Sequence, residues 1–127
     1  MRKIILGLYL ALLVPFFAAA EINPWQKFFT EPCEKIYISM KDGTIFEHAS
    51  QSEIKVNMSI GMLEKRLKKF KDKNYSIKEI KVVIHNHFRS CDFSSEDRKQ
   101  YRMLKKYGFS GLFLLYCHRT DKISSLE

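Results

Sequence analysis

Proline and glycine are scarce in this chain, three and five residues of 127, which excludes a collagen-like repeat and a long flexible linker. Acidic side chains are the minority charge: 14 Asp and Glu stand against 22 Lys and Arg, a formal balance of +8. Past residue 20 no run is apolar for long enough to span a bilayer. Internal repeats and low-complexity segments are absent as well. What is there is an ordinary globular mixture, 46% apolar and 28% charged, unlike that of a disordered chain. The length suits one domain.

Residues 1–20 have the three parts of a secretory signal. Arg2 and Lys3 supply the positive start, Ile4 to Phe17 an apolar stretch, and Ala18, Ala19 and Ala20 the small side chains that a signal peptidase accepts. The expectation is export, periplasmic or secreted, with cleavage before Glu21; a retained membrane anchor is the other reading of the same run. Removing these 20 residues takes the chain to 107 residues and the charge to +6, with no membrane span left. That is enough for one core without staples. Export sets the basic balance against nucleic acid as a partner and leaves solubility, an anionic lipid or an acidic partner surface.

Three cysteines, Cys33, Cys91 and Cys117, follow the signal. An exported chain keeps disulfides, and an odd count leaves one thiol over. Cys33 precedes one expected strand and Cys117 ends another, so the expectation is a Cys33–Cys117 bridge with Cys91 free.

Residues 21–33, broken by Pro24 and Pro32, read as an irregular lead. Ile36, Ile38 and Met40 alternate in a strand over 35–40, Asp42-Gly43 turns the chain, and 44–49 is the returning strand. Residues 52–58 alternate again, more weakly. With Ser59 as N-cap, Ile60, Leu63, Leu67 and Phe70 form the apolar face of a helix. Lys65, Arg66, Lys68, Lys69, Lys71 and Lys73 cover the rest, either as a solvated face or as a docking surface for an anion. The β-branched stretch 80–86 reads as a central strand. A polar loop at 88–93 leads to a second helix with Tyr101, Leu104 and Tyr107 on one side, stopped by Gly108. Residues 111–118 form the most apolar strand of the mature chain, and a last short strand falls near Ile123. The order β-β-β-α-β-α-β gives an α+β fold, a mixed sheet flanked by helices.

The stretch from His85 to Asp97 carries the chemistry. Residues i and i+2 of a strand share a face, so His85 and His87 project side by side. Asp97 falls in the first turn of the following helix, where its carboxylate can meet the same ion. Two His and one Asp leave the fourth tetrahedral position of Zn2+ to water, as in catalytic sites. Such a site needs a general base and a donor for the developing oxyanion. Glu47, on the returning strand, is the candidate base, and Ser94 the candidate donor. Ser94-x-x-Asp97 is also a helix cap paired with an acidic residue, and one motif can do both. His-Asn-His is not an HNH nuclease motif, whose residues are dispersed through a longer fold.

Val82-Val83-Ile84-His85-Asn86-His87, followed by Ser94-Ser95-Glu96-Asp97, resembles the JAMM metallopeptidase signature of the JAB/MPN superfamily, H-x-H-x7-S-x-x-D. The His-Asn-His form and the element order look most like its bacterial RadC-like branch. The resemblance covers about residues 34–124. Two departures stand out: the loop from His87 to Ser94 has six residues instead of seven, and Phe88 replaces a common proline. The resemblance implies a cytidine-deaminase-like architecture and zinc held by His85, His87 and Asp97. It further implies a Ser94 that supports the tetrahedral intermediate and a glutamate base on an early strand, Glu47 with Glu53 in reserve. The reaction implied is hydrolysis of an amide or isopeptide bond in a peptide or protein by a zinc-activated water. Two other readings remain open: a JAMM-like module without catalysis that holds a partner with its basic helix, and a RadC-like protein associated with nucleic acid, which export disfavours. Arg89 is placed to meet a substrate carboxylate, and Cys91 lies in the loop between the ligands.

Overall fold

A computed structural model describes residues 24–50 and 60–127; the expected signal, the expected strand at 52–58, Glu53 and the Ser59 cap lie outside the described residues. Residues 24–30 belong to one unit, in which Gln26–Phe28 makes one 3-10 turn. Glu31–Glu127 is the second unit and carries everything below.

Five strands and two α-helices build it: β1 (Lys35–Met40), β2 (Ile45–Ser50), α1 (Ile60–Lys69), β3 (Ile80–His87), α2 (Ser95–Lys106), β4 (Leu112–Cys117) and β5 (Lys122–Leu126). The sheet order is β2-β1-β3-β4-β5. Neighbours pair antiparallel except β3 with β4, which are parallel and joined through α2. The sheet is therefore mixed and the class α+β, with β3 in the centre.

The alternation read along β1 has its physical cause in the core. Ile36, Ile38 and Met40 are buried and pack with Val83 of β3 and Phe113 of β4, which stand on the same face by register. Leu63 and Leu67 of α1 and Leu104 of α2 close that core, with Ile60, Phe70 and Tyr101 partly buried against it. Tyr107, expected on the apolar side of α2, follows the last helical residue and is exposed. Among the described residues no helix is long and apolar enough to cross a membrane.

Two glycines set the geometry of the β3–β4 crossover. Gly108 takes φ +105° where α2 ends, a conformation that side chains disfavour. Gly111 enters β4 so close to β3 that a Cβ there would stand 2.2 Å from the Lys81 carbonyl oxygen. Without it the parallel pairing that seats β4 beside the His85–His87 segment would have to move apart.

The structure corrects the cysteine pairing. Cys91 is bonded to Cys117, with Cα atoms 5.1 Å apart, and Cys33 is the free thiol. Cys117 lies opposite His87 in the parallel ladder, and the chain leaving His87 brings Cys91 to it within four residues. Cys33 precedes β1, and β3 stands between that strand and β4. Two strand spacings are about 9.5 Å, too far for a bridge.

Candidate metal centre

His85 and His87 sit at the C-terminal end of β3 on the face that α2 covers, and Asp97 comes from the first turn of α2. The three ligand atoms lie within 4.8 Å of one another. Asp97 Oδ2 is 3.2 Å from His85 Nε2 and 3.5 Å from His87 Nε2. The imidazole rings are 5.0 Å apart and nearly perpendicular, at 76°. Phe93 and Phe113 flank His85 at 6.1 and 5.8 Å, giving the pair an apolar surround.

Those distances suit donors that share an ion. His85 Nε2 is buried and makes no hydrogen bond of acceptable geometry, which is costly for a polar atom with nothing else to satisfy it. In a tetrahedral zinc site with ligands at 2.0–2.1 Å, neighbouring donors stand about 3.3–3.4 Å apart, close to the two separations found. Two imidazoles with one carboxylate also suit zinc better than calcium or magnesium, which favour oxygen.

Asp97 is aimed by the helix cap. Ser94 Oγ accepts from the Asp97 N–H at 3.0 Å, and Asp97 Oδ2 accepts from the Ser94 N–H at 2.8 Å. This reciprocal box fixes the carboxylate, and the Ser94 hydroxyl lies against it as well. Burial pushes the Asp97 carboxyl up, but His85 beside it and the Ser94 N–H pull harder, and it settles at about 2. The group is therefore anionic whenever the imidazoles are neutral, the state that metal binding needs.

The cleft around the triad encloses about 450 Å3, with Ile36, Val83 and Phe113 as its apolar floor and Ser94, Glu96 and Glu34 among its polar walls. Glu47 is not in it. Glu47 pairs with Tyr37, whereas His85 pairs with Ile36, so the two side chains leave the sheet on opposite faces. Its carboxylate bonds Lys35 Nζ at 3.1 Å and is exposed. Two glutamates do reach the cleft, Glu96 from α2 and Glu34, which stands two residues before Ile36 and so on the parity of the His85 face. Sequence reasoning missed Glu34 because chain interval, not strand parity, selected Glu47.

Asn86, between the two histidines, holds Glu34 in place. It is fully buried. Its Oδ1 accepts from the Lys35 N–H at 2.7 Å and its Nδ2 donates to the Cys33 carbonyl at 3.1 Å, so its amide brackets residue 34 as a neighbouring strand would. Nδ2 also meets His118 Nε2 at 2.9 Å. Burial lowers the His118 pKa against the opposing pull of Asp121, which favours the neutral ring, the form that has one nitrogen able to accept.

Comparison with protein-family models, curated proteins and solved structures gives no match.

Proposed function

We propose that this chain is an exported zinc-dependent amide hydrolase of the JAMM type, with the JAB/MPN architecture and a peptide or protein substrate. The observation that carries the reading is the convergence of His85, His87 and Asp97 around a buried imidazole nitrogen that lacks a hydrogen bond. Zinc held by these three would acidify a water and polarise a carbonyl oxygen. Glu34, fixed at the cleft wall by Asn86, accepts the water's proton and passes it to the leaving amine. The Ser94 hydroxyl donates to the oxygen on which negative charge develops.

Metal analysis and peptide hydrolysis on the same preparation test this. The native chain should bind about one zinc per molecule and lose hydrolysis to a chelator. Glu34→Gln should keep the zinc and lose about 10²–10⁴-fold in kcat, while Glu47→Gln should match the native protein. Zinc bound without turnover would instead identify a JAMM-like module that has kept its metal for structure. A folded protein that takes up no zinc removes both readings.

A further inference from the structure

We propose that the hollow beyond His87 receives the carboxyl-terminal residue of a peptide, with Arg89 binding its free carboxylate; this rests on the hydrolase reading and gives that activity a substrate class. The hollow encloses about 500 Å3 and is lined by Pro32, Glu34, His87, Phe88, Arg89 and Ser90. It shares Glu34 and His87 with the cleft of about 450 Å3 that holds the triad. The two hollows therefore adjoin where the amide would be cut, one for the acyl side and one for the amine side.

The second hollow has the chemistry of one kind of residue. Pro32 and Phe88 are apolar, which suits a side chain, and Arg89 supplies a cation. Among the described residues the Arg89 guanidinium forms no ion pair, so it is available to an anion. In a carboxyl-terminal residue the carboxylate is one carbon removed from the scissile nitrogen, and Arg89, two residues beyond His87, lines the same hollow. A planar guanidinium is suited to bind a carboxylate through two hydrogen bonds.

The wall is braced from behind. The Phe88 ring stacks on His118, with centroids 4.1 Å apart and planes 7° from parallel. Arg119 Nε donates to the Arg89 carbonyl at 3.2 Å, and Arg119 Nη2 donates to Cys91 Sγ at 3.5 Å. Cys91 is tied to the end of β4 by its disulfide. Such bracing lowers the entropy lost when a ligand is bound. In the reaction the C–N bond breaks and the water oxygen joins the acyl carbon. One hydrogen stays with the new carboxyl group and the other goes to the amine nitrogen of the released residue.

The test compares acetyl-Ala-Phe with acetyl-Ala-Phe-amide on the zinc-loaded full chain. The free acid should be cut with a kcat/KM at least about tenfold above the amide, as one charged hydrogen-bond pair allows. Arg89→Ala should bring that ratio towards one, and Arg89→Lys should restore part of it. A native ratio near one, or a ratio that survives Arg89→Ala, overturns the proposal. If the native protein cuts neither peptide, calorimetric titration of metal-free protein with acetylphenylalanine and with its amide separates the two ideas. Arg89-dependent preference for the acid would sustain the pocket while the hydrolase reading fell, and equal binding would overturn the pocket as well.

Discussion

Two hollows of nearly equal size flank the sheet, about 450 Å3 at the His85 end and about 430 Å3 beside α1. Volume does not distinguish them; the state of their polar groups does. Beside α1, Lys65 and Lys69 are exposed, Arg66 Nη1 already donates to the His48 carbonyl at 2.6 Å, and Glu47 is held by Lys35. At the His85 end, His85 and His87 of β3 and Asp97 of α2 converge on one point, and the buried His85 Nε2 completes no hydrogen bond. A surface that only needs solubility does not assemble such an arrangement, since each buried and unsatisfied donor costs about 1–3 kcal/mol.

That contrast can be broken most sharply by removing Asp97. Asp97→Ala should take zinc binding from about one equivalent to near none, and should cost about 1 kcal/mol of stability through the lost cap. Lys65→Glu with Lys69→Glu, in the other hollow, should leave both metal content and hydrolysis as they were. Metal analysis together with thermal melts decides; equal zinc in all three proteins would erase the distinction.

In stability alone a larger loss, without the loss of zinc, should come from opening the bridge that braces the site end. Cys91→Ser or Cys117→Ser opens a 26-residue loop, which by chain entropy is worth about 3.5 kcal/mol. Denaturant unfolding should show it, with Cys33→Ser close to the native protein. The smallest effect belongs to the opposite end of the sheet. There Asp42 accepts from the Thr44 N–H at 2.9 Å and the Tyr75 hydroxyl at 2.7 Å, and these bonds hold its carboxyl down to about 2. A lowered carboxyl stabilises the fold above its unfolded pKa of about 4, and that contribution is lost as pH falls towards 2. Asp42→Asn should therefore be less stable than the native chain at neutral pH and converge with it near pH 2. A constant gap between the two melting curves would contradict this.

Much of the layout was legible because short-range physics sets it. Period-two alternation marked β1, β-branched residues marked β3, and the Ser94–Asp97 pair marked the start of α2. The short last strand near Ile123 is there as β5. The ligand candidates were legible for the same reason, since a strand's pleat puts His85 beside His87. Pairing across the sheet was not. Whether Cys33 or Cys91 lies near Cys117 depends on β3 standing between β1 and β4, which no local pattern encodes. The choice between Glu34 and Glu47 depended on which residue of β1 faces His85, and a one-residue difference in parity reverses the answer. Asn86 could be read only as a spacer until its partners were known.

That spacer ties the mobility of the cleft to the sheet. Residue 34 belongs to a connecting segment, yet the amide at 86 attaches it on both sides to the central strand. Lifting the segment therefore means tearing two bonds from the central strand of the sheet. In deuterated solvent the Lys35 amide should exchange on the clock of β3 and not on that of the loop it borders. A group carried by a loop thus inherits the opening free energy of a core strand.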